Sequence, residues 1–307
     1  MDYKRANRAY LYMIISTLAL VAILTVWVLR TGAEFSVLAN NLLSELVILI
    51  PAIATILYSG DRLKVVIPLK KIRISSALLT MLYVVLLFPL VTFINSVSML
   101  FVDNTVLELS DQILDMPMWQ MLLAIGILGP FVEEVVFRGF FLQSYQRTGR
   151  IIGSIILSSV LFGMMHMNFN QFAYGAVMGL MLALLVEATG SVLTSFIAHA
   201  TFNTIEVIMM YATSDILDDA ESLLTELEET NQIILTIGIY FIAAIIFTAL
   251  ALCVVIKISD IEMRKEFFIG IPKSPKKGWK LITVPLIIAI VLAMTYMIGM
   301  EYLNSLI

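Results

Sequence analysis

Charge is scarce in this chain. Only 14% of its 307 residues are Asp, Glu, Lys or Arg, where soluble globular domains carry about 25%. Apolar residues make up 60%, and the mean hydropathy is +0.98. That balance excludes an ordinary water-soluble globular fold and places the chain in lipid. Cysteine is nearly absent, and the single one, Cys253, lies in an apolar segment. One thiol excludes an intramolecular disulfide and a cysteine-based metal site, and it says nothing about redox compartment. Histidine is almost as rare, with only His166 and His199. Internal repeats and low-complexity linkers are missing as well, so residues 1–307 read as one membrane-embedded domain. No segment alternates apolar and polar residues over about ten positions, as a barrel strand would.

Long apolar runs fill the sequence instead. A helix needs about 20 apolar residues to cross a bilayer. Nine candidate spans are present: 10–29, 36–58, 76–101, 118–142, 151–167, 169–188, 190–213, 232–256 and 281–301. The division within 151–188 rests on Asn168 and Asn170, which interrupt one continuous run. The expected fold is all-α, a polytopic transmembrane helix bundle of about eight to nine spans with a polar cavity inside the membrane. The first run follows Lys4, Arg5 and Arg8. It is too long for a signal-peptide core, and no small-residue cleavage site follows it, so it reads as an uncleaved span.

The few charges sort by side. Lys4, Arg5 and Arg8 precede the first span; Arg62, Lys64, Lys70, Lys71 and Arg73 follow the second; Arg147 and Arg150 follow the fourth. Seven more basic residues lie between Lys257 and Lys280, after the eighth. If nine spans alternate, all these loops share one face, and basic loops stay cytoplasmic. The opposite loops are acidic, with Asp103, Glu108, Asp111 and Asp115 in one and Asp215 to Glu229 in another. The expectation is an integral multi-pass protein of the cell membrane with its amino terminus in the cytoplasm. Segment 215–229 also spaces its leucines as an amphipathic helix resting on the outer interface would, although a solvated acidic loop is the plainer reading. The basic loops are accounted for by topology, and no nucleic-acid partner is implied.

Against this background the stretch GPFVEEVVFRGFF, residues 129–141, stands out. An ionisable group at mid-bilayer costs about 2.5–3.5 kcal/mol on insertion scales and normally faces the bundle interior with a partner. Glu134 and Arg138 are spaced i, i+4 with the acid nearer the amino terminus, the favourable order for a pair on one helix face. Glu133 points about 100° away from that face and has no cation in local sequence. A lone carboxylate in low dielectric can serve as a general base or acid. Both histidines of the chain also fall in apolar segments, in the strings FGMMH (Phe162 to His166) and HATFN (His199 to Asn203).

Height in the membrane can be counted. With Gly149 at the centre of the turn after the fourth span, Glu133 lies 16 residues before it and His166 lies 17 after it. Both are then about 24 Å along their helices from that turn at 1.5 Å per residue. His199 is nine residues past Gly190, or about 13 Å into its span. Glu133, His166, His199 and Asn203 can thus share one depth, though height does not show that their faces meet. Glu206 shares the stripe of His199 and Asn203 and is a candidate to orient either, with a residue snorkelling to water as the equal alternative. Glu45 and Glu187 belong to no motif and read as packing or interfacial groups.

In this order, EExxxR (Glu133, Glu134, Arg138), FxxxH (Phe162, His166) and HxxxN (His199, Asn203) resemble the CPBP intramembrane protease family. That family includes the CAAX prenyl endopeptidases, or Ras-converting enzymes, and bacterial relatives associated with bacteriocin processing or self-immunity. The resemblance covers a catalytic core at about 118–210. It implies an intramembrane endopeptidase acting on a peptide or membrane-protein substrate. Glu133 would activate water, His166 would help to hold it, and His199 and Asn203 would bind the water or the developing oxyanion. Glu134 and Arg138 would support the site.

Two chemistries stay open at this point. Glu133, His166 and His199 could form a His₂Glu zinc set with an open position for water. That would leave as base Glu134, a weaker one because a guanidinium holds it. Without metal, Glu133 is itself the base and no cofactor is needed. Two other function classes compete. Intramembrane Glu, His and Arg relays also serve proton-coupled transporters, but the repeats and paired broken helices of many transporters are missing. A non-proteolytic regulator or immunity protein that binds a partner would survive loss of Glu133. The substrate and the oligomeric state leave no trace in the sequence.

Overall fold

In the computed structural model these runs become helices, because lipid offers the backbone no other partner and each N–H must find a carbonyl within its own segment. The structure describes residues 2–33, 35–102, 104, 109–224, 230–273 and 280–306, with the side chains of 214–234, 236 and 273 left out. The helices are α1 (Tyr3–Thr31), α2 (Val37–Ser59), α3 (Leu63–Val66), α4 (Ile74–Val85), α5 (Phe88–Ser98) and α6 (Ser110–Leu114). After them come α7 (Met118–Gln146), α8 (Ile151–Met165), α9 (Phe169–Thr189), α10 (Val192–Leu224), α11 (Thr230–Ile261), α12 (Lys265–Gly270) and α13 (Val284–Asn304). No strand occurs among the described residues.

Eight apolar helical stretches among the described residues are long enough to cross a membrane, and α8 is a shorter apolar helix of 15 residues. The chain is therefore an integral multi-pass membrane protein with an all-α bundle. The expected third span is one stretch, Ile74–Ser98, broken where α4 hands over to α5. Of the candidate interfacial helix at 215–229, residues 225–229 and all the side chains lie outside what is described. Backbone helix continues to Leu224 as the end of α10.

The bundle has a clear inside. Of the best membrane-crossing window, 61% of residues are buried in α9 and 50% in α7, against 11% in α1 and 17% in α11. The outer helices turn residues such as Ile23, Leu29, Ile242 and Ile287 outward, as a lipid-facing surface requires. Two apolar clusters fill the interior. One joins α1, α2, α7, α8 and α13, and the other joins α4, α5, α9, α10 and α11. Phe162 belongs to the first, whereas Ala198 and Phe202, which bracket His199, belong to the second. The polar residues of interest thus lie where the two clusters meet.

Close helix approach sets their positions. On α8 a Cβ added to Gly163 would fall 2.6 Å from the Phe172 carbonyl oxygen and 2.7 Å from the Ala176 backbone nitrogen on α9. Small residues allow such contact, and packing of this kind drives helix association in lipid. Gly163→Ala is expected to force α8 and α9 apart and to cost about 1–3 kcal/mol, the usual price of overpacking. Thermal unfolding in detergent measures it, and an unchanged midpoint would contradict the seam. Buried polar ties add register. Asn7 Nδ2 donates to the Leu281 carbonyl at 2.8 Å, Tyr145 Oη donates to Asn7 Oδ1 at 2.8 Å, and Tyr10 Oη donates to the Leu161 carbonyl at 3.0 Å.

Candidate active site

The site is built first on α7, which is not one regular helix. π-helical turns occupy Ala124–Leu128 and Val135–Phe141, and between them Gly129–Glu134 is α-helical. Such wide turns frequently mark functional positions. The local cause of the first is readable. The Gly129 N–H reaches back to the Ala124 carbonyl. The next residue, Pro130, has no N–H to give. The Ile125 carbonyl that it would have met accepts instead from Asn203 Nδ2 of α10, at 3.1 Å. Close packing helps here too, since a Cβ on Gly126 would lie 2.9 Å from Thr204 Oγ1. Asn203 is thereby fixed against α7 by one of its two amide hydrogens.

The expected ion pair forms. Arg138 Nη1 donates to Glu134 Oε1 at 2.8 Å, with side chains 1% and 0% exposed. The guanidinium also lies over the ring of Phe162, 4.2 Å from its centroid, a favourable cation–π placement. Glu134 does more than neutralise Arg138. Its Oε1 also lies 2.9 Å from His199 Nδ1. An ionised carboxylate can only accept, so this contact places the imidazole hydrogen on Nδ1 and turns Nε2 the other way. Nε2 faces Glu133 Oε2 at 3.5 Å. Glu133, which has no cation in local sequence, therefore finds its partner across the bundle on α10.

His166 ends α8. It sits in a tight reversal in which Met167 takes a left-handed backbone (φ 58°) and Asn168 caps α9 by accepting the Gln171 N–H at 2.7 Å. The imidazole rests edge-on against Phe162, with ring centroids 5.3 Å apart; His199 meets the same ring at 5.7 Å. Both histidines thus flank one phenylalanine. Gly175 on α9 leaves the room, since a Cβ there would be 3.2 Å from His166 Cδ2.

The structure thus joins Glu133, Glu134, Arg138 and His199 in one chain of contacts, with His166 one ring away and Asn203 tied to the wall. Glu206 is exposed on α10, and neither His199 nor Asn203 hydrogen-bonds to it among the described residues. Glu187 accepts from Gln146 Nε2, a structural tie at the far end of α9. Glu45 is different. It is 9% exposed on α2, and its Oε1 lies 3.2 Å from where a Cβ on Gly129 would be. Its position inside an apolar span was the available signal, since an ionisable residue there is a functional candidate by default.

A zinc site needs three protein ligands and an open position. Glu133 Oε2 and His199 Nε2 offer two, and the carboxylate on His199 Nδ1 is the support a metal-bound histidine usually has. However, no group of three His, Cys, Asp or Glu donors converges among the described residues. The described donors as arranged lack the third ligand that a zinc site requires.

These residues lie within a stretch that is similar to known proteins. Residues 115–205 match the family described as Type II CAAX prenyl endopeptidase Rce1-like. A Bacillus subtilis (strain 168) protein named "Putative membrane peptidase YdiL" is 32% identical over 90 residues, 29% of this chain and 36% of that relative. The match thus spans little more than a third of the relative's length. No solved structure matches the chain.

Proposed function

We propose, from the match of residues 115–205 to the Rce1-like family and the likeness to a peptidase-named relative, that the chain is a CPBP-family intramembrane endopeptidase in which Glu133 activates water. The observation that carries the reading is the two-sided contact of His199, held through Nδ1 by Glu134 and presenting Nε2 to Glu133 at 3.5 Å. An imidazole lone pair and an ionised carboxylate facing each other need one proton between them. That makes the pair an acid–base couple buried in the membrane.

Amide hydrolysis on this couple balances simply. Glu133 takes a proton from water as the water oxygen bonds to the carbonyl carbon. The carbonyl oxygen gathers negative charge, and in this reading the second amide hydrogen of Asn203 and an N–H of His166 donate to it. The proton held between Glu133 and His199 then passes to the amide nitrogen, and the C–N bond breaks. The substrate class that fits is a hydrophobic or membrane-associated peptide or protein, because the site lies inside the bundle. The basic loops support a cytoplasmic amino terminus and a place in the cell membrane.

The test is cleavage of a quenched fluorescent peptide library by purified protein in detergent. Wild type is compared with Glu133→Ala and His199→Ala, each with and without a strong chelator. Cleavage by wild type that both substitutions abolish is the expected result. Equal cleavage by all three would mean a contaminant and end the reading. Loss of wild-type cleavage on chelation, with recovery on adding zinc, would overturn the Glu133-as-base mechanism while keeping the peptidase.

A further inference from the structure

Hydrolysis consumes one water per bond, and Glu133 lies in the middle of an apolar bundle. Glu45 bears on how that water arrives. Helix α2 runs alongside α7 in the same direction. Val37 and Leu38 share one apolar cluster with Met121, Leu122 and Ile125 near the start of both helices, and Glu45 rests on Gly129 further along. Gly129 precedes Glu133 by one turn, so Glu45 sits about 6 Å above it along α7. Asn41 lies one turn above Glu45 on the same face of α2. The Asn41 Oδ1 and Glu45 Oε2 atoms are both buried without a hydrogen-bond partner among the described residues. Glu45 also has no salt-bridge cation there. Buried polar oxygens are rarely left unmatched, and ordered water is the usual donor when protein offers none.

We infer that the seam between α2 and α7 is the route by which hydrolytic water reaches Glu133, with Asn41 and Glu45 as successive holding points. The route opens at the membrane face that carries residues 109–117. This inference rests on the hydrolytic reading of the site. It also gives Glu45, which lies outside the family segment, a role of its own as a positioning residue for water. An acceptor chain of this kind takes hydrogen bonds from each water at Asn41 Oδ1 and then at Glu45 Oε2 on its way to Glu133.

The test uses the silver ion, which is small and reaches thiols through water. Cys253→Ala first removes the native thiol. In that background Asn41→Cys and Glu45→Cys are compared with Leu42→Cys and Leu46→Cys. Leu42 and Leu46 share the helix but face outward, at 39% and 48% exposed. In nanodiscs, with both faces open, thiols at 41 and 45 are expected to be consumed faster than those at 42 and 46, and 41 faster than 45. Equal or slower reaction at 41 and 45 overturns the route, and the reverse order of 41 and 45 overturns its direction.

The silver rates need no peptidase activity, so they stand even if the hydrolytic reading fails. A second measurement asks about turnover. Glu45→Leu is expected to lower kcat by about tenfold with KM nearly unchanged, the pattern of a defect felt after substrate binds. Unchanged kcat in a folded Glu45→Leu protein overturns the role of Glu45.

Discussion

Glu133→Gln is expected to lower kcat for peptide cleavage by about 10²- to 10⁴-fold, the usual contribution of a general base, while the protein stays folded. The substitution keeps volume and removes only the ability to take a proton. Stability should hold or rise slightly, because among the described residues Glu133 meets only His199 Nε2 as an ionic partner, at 3.5 Å. Glu134→Gln predicts a different pattern. Glu134 is fully buried, binds Arg138 at 2.8 Å and holds His199 Nδ1 at 2.9 Å. A neutral amide there leaves a buried guanidinium uncompensated and lets the imidazole choose the wrong tautomer. Both stability and kcat should fall. Measuring kcat beside the thermal midpoint in detergent separates the two glutamates. If Glu133→Gln retains full activity, or if both substitutions lower stability equally, the division of labour between neighbouring carboxylates is wrong.

That division was half legible in the sequence. The spacing of Glu134 and Arg138 is local, and the pair forms as the helix period requires. Span limits were equally local. The run at 36–58 becomes Val37–Ser59, and the run at 169–188 becomes Phe169–Thr189. Counting residues from Gly149 and Gly190 placed the site residues at one height, but height says nothing about which faces meet. That Glu133 meets His199, and that Glu134 reaches the other side of the same imidazole, depends on how α7 and α10 are rotated against each other. That rotation is altered by the two π-helical turns of α7. Pro130 and the glycines at 126, 129 and 139 hint at irregularity. The choice of an i→i−5 register, though, is settled by distant groups such as Asn203 and Thr204. Glu45 was passed over for a similar reason. Its place in an apolar span marks it as a candidate, but no motif joins it to Glu133, and only the packing of α2 along α7 brings it to Gly129.

Arg138→Leu should be the most destabilising single change in the bundle, by about 3–5 kcal/mol, because it strands a buried carboxylate. The guanidinium is 1% exposed and its partner 0%, so neither can turn to water. The change also removes the cation from the face of Phe162, 4.2 Å away, and with it a contact worth about 2 kcal/mol when desolvated. Replacing both partners tests where that energy comes from. Glu134→Leu with Arg138→Leu leaves no buried charge behind, and apolar pairs of similar volume are often as stable as the ions they replace. The double variant is therefore expected to recover most of the loss. It should not recover activity, because His199 Nδ1 then lacks its acceptor and Nε2 is no longer aimed at Glu133. A double-mutant cycle of unfolding midpoints, read beside cleavage rates, gives both answers. Additive losses would mean that the two side chains do not act as a pair, and an active double variant would mean that Glu134 does not position His199.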